Sequence, residues 1–236
     1  MDWTEDGVVL SARPLGESGV FASLLTASHG RHPGMVPGGV GKGGRAILQP
    51  GNLVRAVWRA RLPEQLGTYR LELLEAHAAL ALDDSTRLAA LTSACALCDQ
   101  ALPERQPHGP VFLALCALLR ALASPSWPSV YVHWELALLR DLGFGLDLRD
   151  CAATGLTENL IYVSPKSGRA ICAQAGEPYR DRLLPLPAFL REGGEGTASD
   201  IVAGLTLTGY FLDRHVGAGR GGLPAARMRL VDRFQP

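Results

Sequence analysis

Residues 53–61 read LVRAVWRAR. Leu53, Arg55, Val57, Arg59 and Arg61 fall at steps of two, so in an extended chain they share one face. The stretch reads as a strand with a basic face. Its neighbours follow the same reading. Val8-Val9-Leu10 is a short apolar run, residues 20–26 are another, and a turn at Ser28-His29-Gly30 leads to a third ending at Met35-Val36. Residues 68–74 follow Gly67 as a fifth.

Five short strands in a meander, with a long connection between the third and fourth, predict a small barrel over residues 1–80. The OB-type barrel is the leading candidate. Trp58 and Tyr69 are its candidates for stacking on a nucleobase, and either could equally belong to the core. The long connection, residues 35–48, reads MVPGGVGKGGRAIL. It is not a P-loop: Val36 stands where that motif needs its first glycine, and Gly43 where it needs Ser or Thr. Gly39, Gly41 and Gly44 match G-x-G-x-x-G, but Pro50-Gly51 follows too soon for a helix of useful length. Two readings remain, an ordinary mobile surface loop and a flexible cationic loop lying along a polyanion. Charge favours the second. Between residues 29 and 70 lie Arg31, Lys42, Arg45, Arg55, Arg59, Arg61 and Arg70, against the single acid Glu64. The net charge of the chain is zero, so such a face arises by local asymmetry and points to nucleic acid.

At Asp83 the period changes. Leu88, Leu91, Cys95, Cys98 and Leu102 recur at steps of three and four, a helical stripe that Asp84 or Ser85 can cap. Residues 111–122 are apolar nearly all round, as in a buried helix. Residues 130–142 predict a third helix, stopped by Gly143. Residues 150–178 are irregular. Thr197 or Ser199 can cap a helix over 200–216, and a last short helix fits 224–234 with Pro224 in its first turn. The fold class is therefore α+β, with a barrel over 1–80, a helical domain over 81–149, an irregular insert over 150–178 and closing helices over 179–236.

The opening MDWTEDGVVL lacks a basic, apolar leader, and no long apolar run is free of charge or proline, so neither export nor a membrane is expected. Five cysteines, an odd set, suit reduced thiols in a cytoplasm. Cys95-x-x-Cys98 follows the apolar stripe of its helix, and core packing is favoured over redox chemistry. Cys151 and Cys172 fit the first position of each C-x2-C pair of a zinc ribbon, but Thr154 and Ala175 occupy the positions of the other two ligands. Two thiolates do not close a tetrahedral site, so these read as vestigial positions in a ribbon without metal. No cofactor is expected. The sequence contains no H-E-x-x-H and no G-x-S-x-G, and Asp83-Asp84 is better read as a helix start. A nuclease would need several carboxylates near the basic face, where Glu64 stands alone. An adaptor that docks protein on the barrel is the remaining alternative.

The chain resembles the RecO family of bacterial recombination mediators over nearly its whole length. Gly7-Val8-Val9-Leu10 with Arg13-Pro14-Leu15-Gly16-Glu17-Ser18 is similar to the family's opening strand and turn, and Leu24-Leu25-Thr26 with Gly30 to the next. Gly41-Lys42-Gly43 with Arg45 and Leu48-Gln49-Pro50 resembles its basic loop. Trp134-Glu135-Leu136-Ala137-Leu138-Leu139-Arg140-Asp141-Leu142-Gly143, leading to Cys151, is the most specific match. Leu223-Pro224-Ala225-Ala226-Arg227 resembles the closing helix. The departures are Thr154 and Ala175. The resemblance implies an OB fold, a helical domain, a ribbon insert and no bond chemistry. It implies binding of single- and double-stranded DNA and annealing of complementary strands, including strands coated by single-stranded-DNA-binding protein (SSB), whose C-terminal tail is a partner. It also implies work with RecR, and in some systems RecF, to load RecA.

Overall fold

The computed structural model describes residues 1–235. The chain forms two compact units, Met1–Ala123 with Pro224–Leu230, and Ser124–Leu223 with the chain end from Val231.

In the first unit, β1 (Asp2–Leu15), β2 (Gly19–Thr26), β3 (Gly30–Val36), β4 (Leu53–Arg59) and β5 (Thr68–Glu75) close into a barrel in the order β1-β2-β3-β5-β4. A short helix, α1 (Lys42–Ile47), lies in the connection from β3 to β4. All strand pairs are antiparallel except β3 with β5, which meet in parallel at Met35 and Thr68. The alternation expected for β4 is present: Val54, Ala56 and Trp58 are buried, and Arg55 and Arg59 are exposed. Val9, Leu24, Leu48 and Tyr69 share that core. Trp58 and Tyr69 are only 2% and 3% exposed, so both are core residues. Their polar ends are satisfied inside: Trp58 Nε1 donates to the Leu66 carbonyl at 3.0 Å, and the Tyr69 hydroxyl to the His32 carbonyl at 3.1 Å.

Beyond the barrel come α2 (His77–Leu80), α3 (Ser85–Ala101) and α4 (Gly109–Ala121). The Asp84 carboxylate accepts the Thr86 and Arg87 amides and so caps α3. α3 lies against β1, and α4 against β1 and β2. Leu91, Cys95, Cys98 and Leu102 are buried along α3. Burial pushes the Cys95 thiol up to about 12 and raises Cys98 as well, as befits inert core sulfurs.

The second unit holds α5 (Trp127–Asp141), β6 (Leu160–Val163), β7 (Ala170–Cys172), α6 (Ala173–Gly176), β8 (Leu184–Pro185), α7 (Phe189–Glu192) and α8 (Ala198–Leu212). α5 packs on α8. Thr197 and Asp200 form a reciprocal capping box at the start of α8. The helix expected to run to residue 216 changes at Leu212 into a wider π turn, Asp213–Gly217. The segment 150–178, expected to be irregular, contributes two strands to a three-stranded sheet of order β7-β6-β8. β6 has four residues and β7 three, and their third partner β8 lies beyond the segment. So short a strand shows no legible period of two. The last helix, α9 (Ala225–Asp232), buries Ala226 and Leu230. Among the described residues no helix is long and apolar enough to cross a membrane.

Candidate nucleic-acid interface

The glycine-rich connection is not the open loop expected from its composition. Residues 42–47 form α1, with the Arg45 amide bonded to the Gly41 carbonyl and the Leu48 amide to Gly44, both at 2.9 Å. Two glycines make it intrinsically poor as a helix. Tertiary anchors overcome this. Leu48 is 4% exposed and buried in the barrel core. The Asn52 amide donates to the Ala46 and Ile47 carbonyls at 2.9 and 3.2 Å, and Gln49 Nε2 to the Arg45 carbonyl at 2.9 Å. These bonds satisfy carbonyls that a helix end leaves open. Two of the glycines serve close packing. A side-chain carbon on Gly44 would sit 2.5 Å from the Gly39 carbonyl oxygen, and one on Gly39 would sit 2.9 Å from Val20.

The predicted cations do not form one face. Arg31 is built into the fold: Nε donates to the Leu102 carbonyl at 2.8 Å, and the guanidinium pairs with Asp99 at 3.6 Å and Glu104 at 3.4 Å. The same Asp99 accepts the hydroxyls of Ser11 and Ser23 at 2.9 and 2.6 Å. Arg55 is held by Asp6 through two bonds, at 2.8 and 3.3 Å, and Arg59 lies 4.0 Å from Asp2. The register makes this unavoidable, because β1 sets Asp6 opposite Arg55 and Asp2 opposite Arg59, while β5 sets Glu72 opposite Arg55. Lys42, Arg45, Arg61 and Arg70 are left, and among the described residues they make no ion pair.

Three of those four gather around α1. Arg45 borders a cleft of about 350 Å³ together with Arg13, Val20 and Gly39. Arg70 borders another of about 430 Å³, with Gly38, Gly44 and Ile47. Lys42 opens the helix between Gly41 and Gly43. Arg13, missed in the sequence because it lies outside the basic window, stacks its guanidinium 4.4 Å above the Phe21 ring. Only the pairing of β1 with β2 brings it there. Aromatic surface was missed too. Trp3 stacks on His29 with centroids 4.2 Å apart, and both line a cavity of about 490 Å³ with His32, Trp58 and Arg105. Glu5 fixes His29 at 2.7 Å through Nδ1.

Cys151 and Cys172 do meet: the Cys172 amide donates to Cys151 Sγ at 3.2 Å, and the Thr154 hydroxyl lies 3.6 Å from Cys172 Sγ. Although burial acts to raise its pKa, hydrogen bonds from Thr154, the Cys172 amide and the Ala153 amide outweigh it and bring the Cys151 thiol down to about 6. The donor set does not suit zinc. Two sulfurs share the place with a hydroxyl, and the described residues contain no cluster of three metal-ligating side chains.

Comparison with known proteins places most of the chain in one family. Residues 1–77 match the family model "Recombination protein O N terminal", and residues 82–224 match "Recombination protein O C terminal". The "DNA repair protein RecO" of Rhodospirillum centenum is 57% identical over 238 residues, covering 100% of this chain and 95% of the relative. That of Rhodospirillum rubrum is 52% identical over 244 residues, covering 100% and 97%. That of Phenylobacterium zucineum is 49% identical over 237 residues, covering 99% and 98%. With both family models matched and half or more of the residues shared with two of these relatives, the chain belongs to the RecO family of DNA repair proteins.

Proposed function

We propose that the protein is a recombination mediator that binds single- and double-stranded DNA and anneals complementary strands without bond chemistry of its own. The observation that carries this reading is the unpaired cationic cluster of Lys42, Arg45, Arg13 and Arg70 around α1, between two clefts. Glycines at the helix start let backbone amides approach phosphates closely, and the cations supply charge without reading bases. Sequence-blind contact suits annealing, which must accept every sequence. The strand order β1-β2-β3-β5-β4, with a helix between β3 and β4, supports an OB-type barrel over 1–80. In this reading 81–149 and 179–236 make a helical domain, and 150–178 a degenerate zinc ribbon.

The proposed partners follow from family membership. They are RecR, the C-terminal tail of SSB and, in some systems, RecF, with RecA loaded as the outcome in the cytoplasm. Annealing of complementary oligonucleotides, with and without SSB, tests the reading. Acceleration in both cases is expected, together with DNA binding that weakens as salt rises. Salt-independent retention of SSB or RecR with no DNA binding would instead identify an adaptor. Degradation of the strand on adding magnesium would identify a nuclease.

A further inference from the structure

The second unit carries a cluster that the barrel does not use. Its root is the π turn Asp213–Gly217 at the end of α8. Such turns re-aim side chains and recur at functional sites. Here the turn sets His215 face to face with Phe144, with ring centroids 4.0 Å apart and planes 9° from parallel. His215 is also within 7° of parallel to Phe211, at 6.5 Å. Phe211 is 3% exposed and Phe144 40% exposed. Three nearly parallel rings therefore run from the core to the surface and end in an aromatic ring open to solvent.

Two cations are carried by the segments that adjoin the stack. Arg214 donates Nη1 to the Pro165 carbonyl at 2.7 Å. Pro165 begins the β6–β7 turn, closed by the Gly168 amide on the Ser164 carbonyl at 2.9 Å, and Lys166 is at its tip. Lys166 is one of only two lysines in the chain. The turn sits beside the rings, since a side-chain carbon on Gly168 would lie 3.0 Å from Leu146 and 3.7 Å from Phe211. Lys166 and Arg214 have no carboxylate partner among the described residues. The nearest acid in sequence, Asp213, is exposed, and its Oδ1 lies over Gly217, where an added side-chain carbon would be 2.5 Å away. Asp147 is engaged by Arg149 and Arg169, and Asp150 by Arg169.

We propose that Phe144, backed by His215, together with Lys166 and Arg214 on the adjoining turns, is a second contact for single-stranded nucleic acid, in addition to the barrel. One unpaired base stacks on Phe144 and the adjoining phosphates meet the two cations. A flat ring beside separate positive charges matches the alternation of base and phosphate along a strand, and a duplex has no free base face to offer. The inference rests on the reading that this protein binds DNA. A partner peptide with an aromatic and carboxylates shares part of this chemistry and is the competing occupant.

The test uses the full chain, a single-stranded oligonucleotide and the same oligonucleotide with abasic positions. Phe144→Leu keeps apolar bulk but removes the stacking face, Phe144→Trp restores one, and Lys166→Ala removes a charge. Stacking is worth about 1–3 kcal/mol per base, so Phe144→Leu should weaken binding of the intact strand at least about fivefold. Phe144→Trp should bind like the parent, and the abasic strand should no longer distinguish parent from Phe144→Leu. Lys166→Ala should weaken both strands and lower the salt dependence. Equal affinity of the parent and Phe144→Leu for the intact strand overturns the inference, including when a tryptophan-containing acidic peptide proves to need Phe144. If the parent binds no DNA, the function proposed above fails with it. If the parent binds and only Phe144→Leu is silent, this inference fails alone.

Discussion

Asn52 Nδ2 donates to the Ala46 carbonyl at 2.9 Å, and through that bond a buried residue at the start of the fourth strand's approach holds the end of α1. Asn52 is 2% exposed, and its Oδ1 also accepts the Ala78 amide at 3.2 Å. One side chain thus ties the cationic helix to the segment leaving the barrel. Replacing Asn52 by alanine orphans these groups, which should cost about 1–3 kcal/mol of unfolding free energy. DNA affinity should fall as α1 loses its anchor. Chemical denaturation together with DNA titration checks both effects, and unchanged stability would show that water replaces the amide.

Lys42 and Arg45 together, changed to alanine, should weaken single-strand binding for all sequences alike. Each lost phosphate contact lowers the salt slope of log K by roughly 0.7, so the pair lowers it by up to about 1.4. Stability should hardly change, since both side chains lie on the surface of a six-residue helix that buries none of its own residues. A wild-type salt slope in the double variant would make α1 a mere connector.

Arg31→Ala should behave in the opposite way. Its guanidinium is spent on Asp99, Glu104 and the Leu102 carbonyl, so the loss should appear as roughly 1.5–3 kcal/mol of stability, with little change in salt slope. Measuring both quantities on one preparation separates a structural arginine from a phosphate contact.

His32 should make stability depend on pH. Burial, then the charge on Arg105, brings its pKa down to about 4, against the opposing bond to the Pro33 carbonyl. The folded state therefore prefers the neutral ring. Its contribution is complete above the ordinary value of about 6.5 and is lost as pH falls from there through about 4, up to about 3 kcal/mol in all. Thermal unfolding of the parent and His32→Gln across that window should show a steeper decline in the parent. Parallel curves would mean that the ring protonates without penalty.

The segment 150–178 should hold no stoichiometric zinc after chelator-free purification, because Thr154 and Ala175 stand where a zinc ribbon would have two further sulfurs. Restoring both, Thr154→Cys with Ala175→Cys, should create a four-sulfur set and a protein that binds zinc and melts higher with it. Elemental analysis and melting with and without chelator check this. About one zinc per parent chain would refute the first half, and no uptake by the double variant the second.

Local pattern sufficed for much of this fold. Alternation at 53–59 separates Arg55 and Arg59 from Val54, Ala56 and Trp58, with only the structure deciding that Trp58 is core, and the three- and four-residue steps from Leu91 to Leu102 place α3. Asp84 and Thr197 cap their helices as their side chains require. Cys151 and Cys172 also meet as the ribbon frame implied. These features depend on neighbours a few residues apart, or on a frame carried by the residues themselves. The binding surface did not. A count of seven cations against one acid over 29–70 omitted Asp2, Asp6 and Glu72, which strand pairing sets opposite Arg59 and Arg55. Arg31 found Asp99 on α3, sixty-eight positions along the numbering, and Arg13 reached the cleft of Arg45 from another strand. Five glycines over 38–44 argued for a loop, and Leu48 in the core with Asn52 beneath the carbonyls made a helix. Propensity and periodicity are properties of neighbouring residues, and the chain displays them directly. Which charge remains free for a phosphate depends on which acid lies within a few ångströms, and the closed barrel alone brings those groups together.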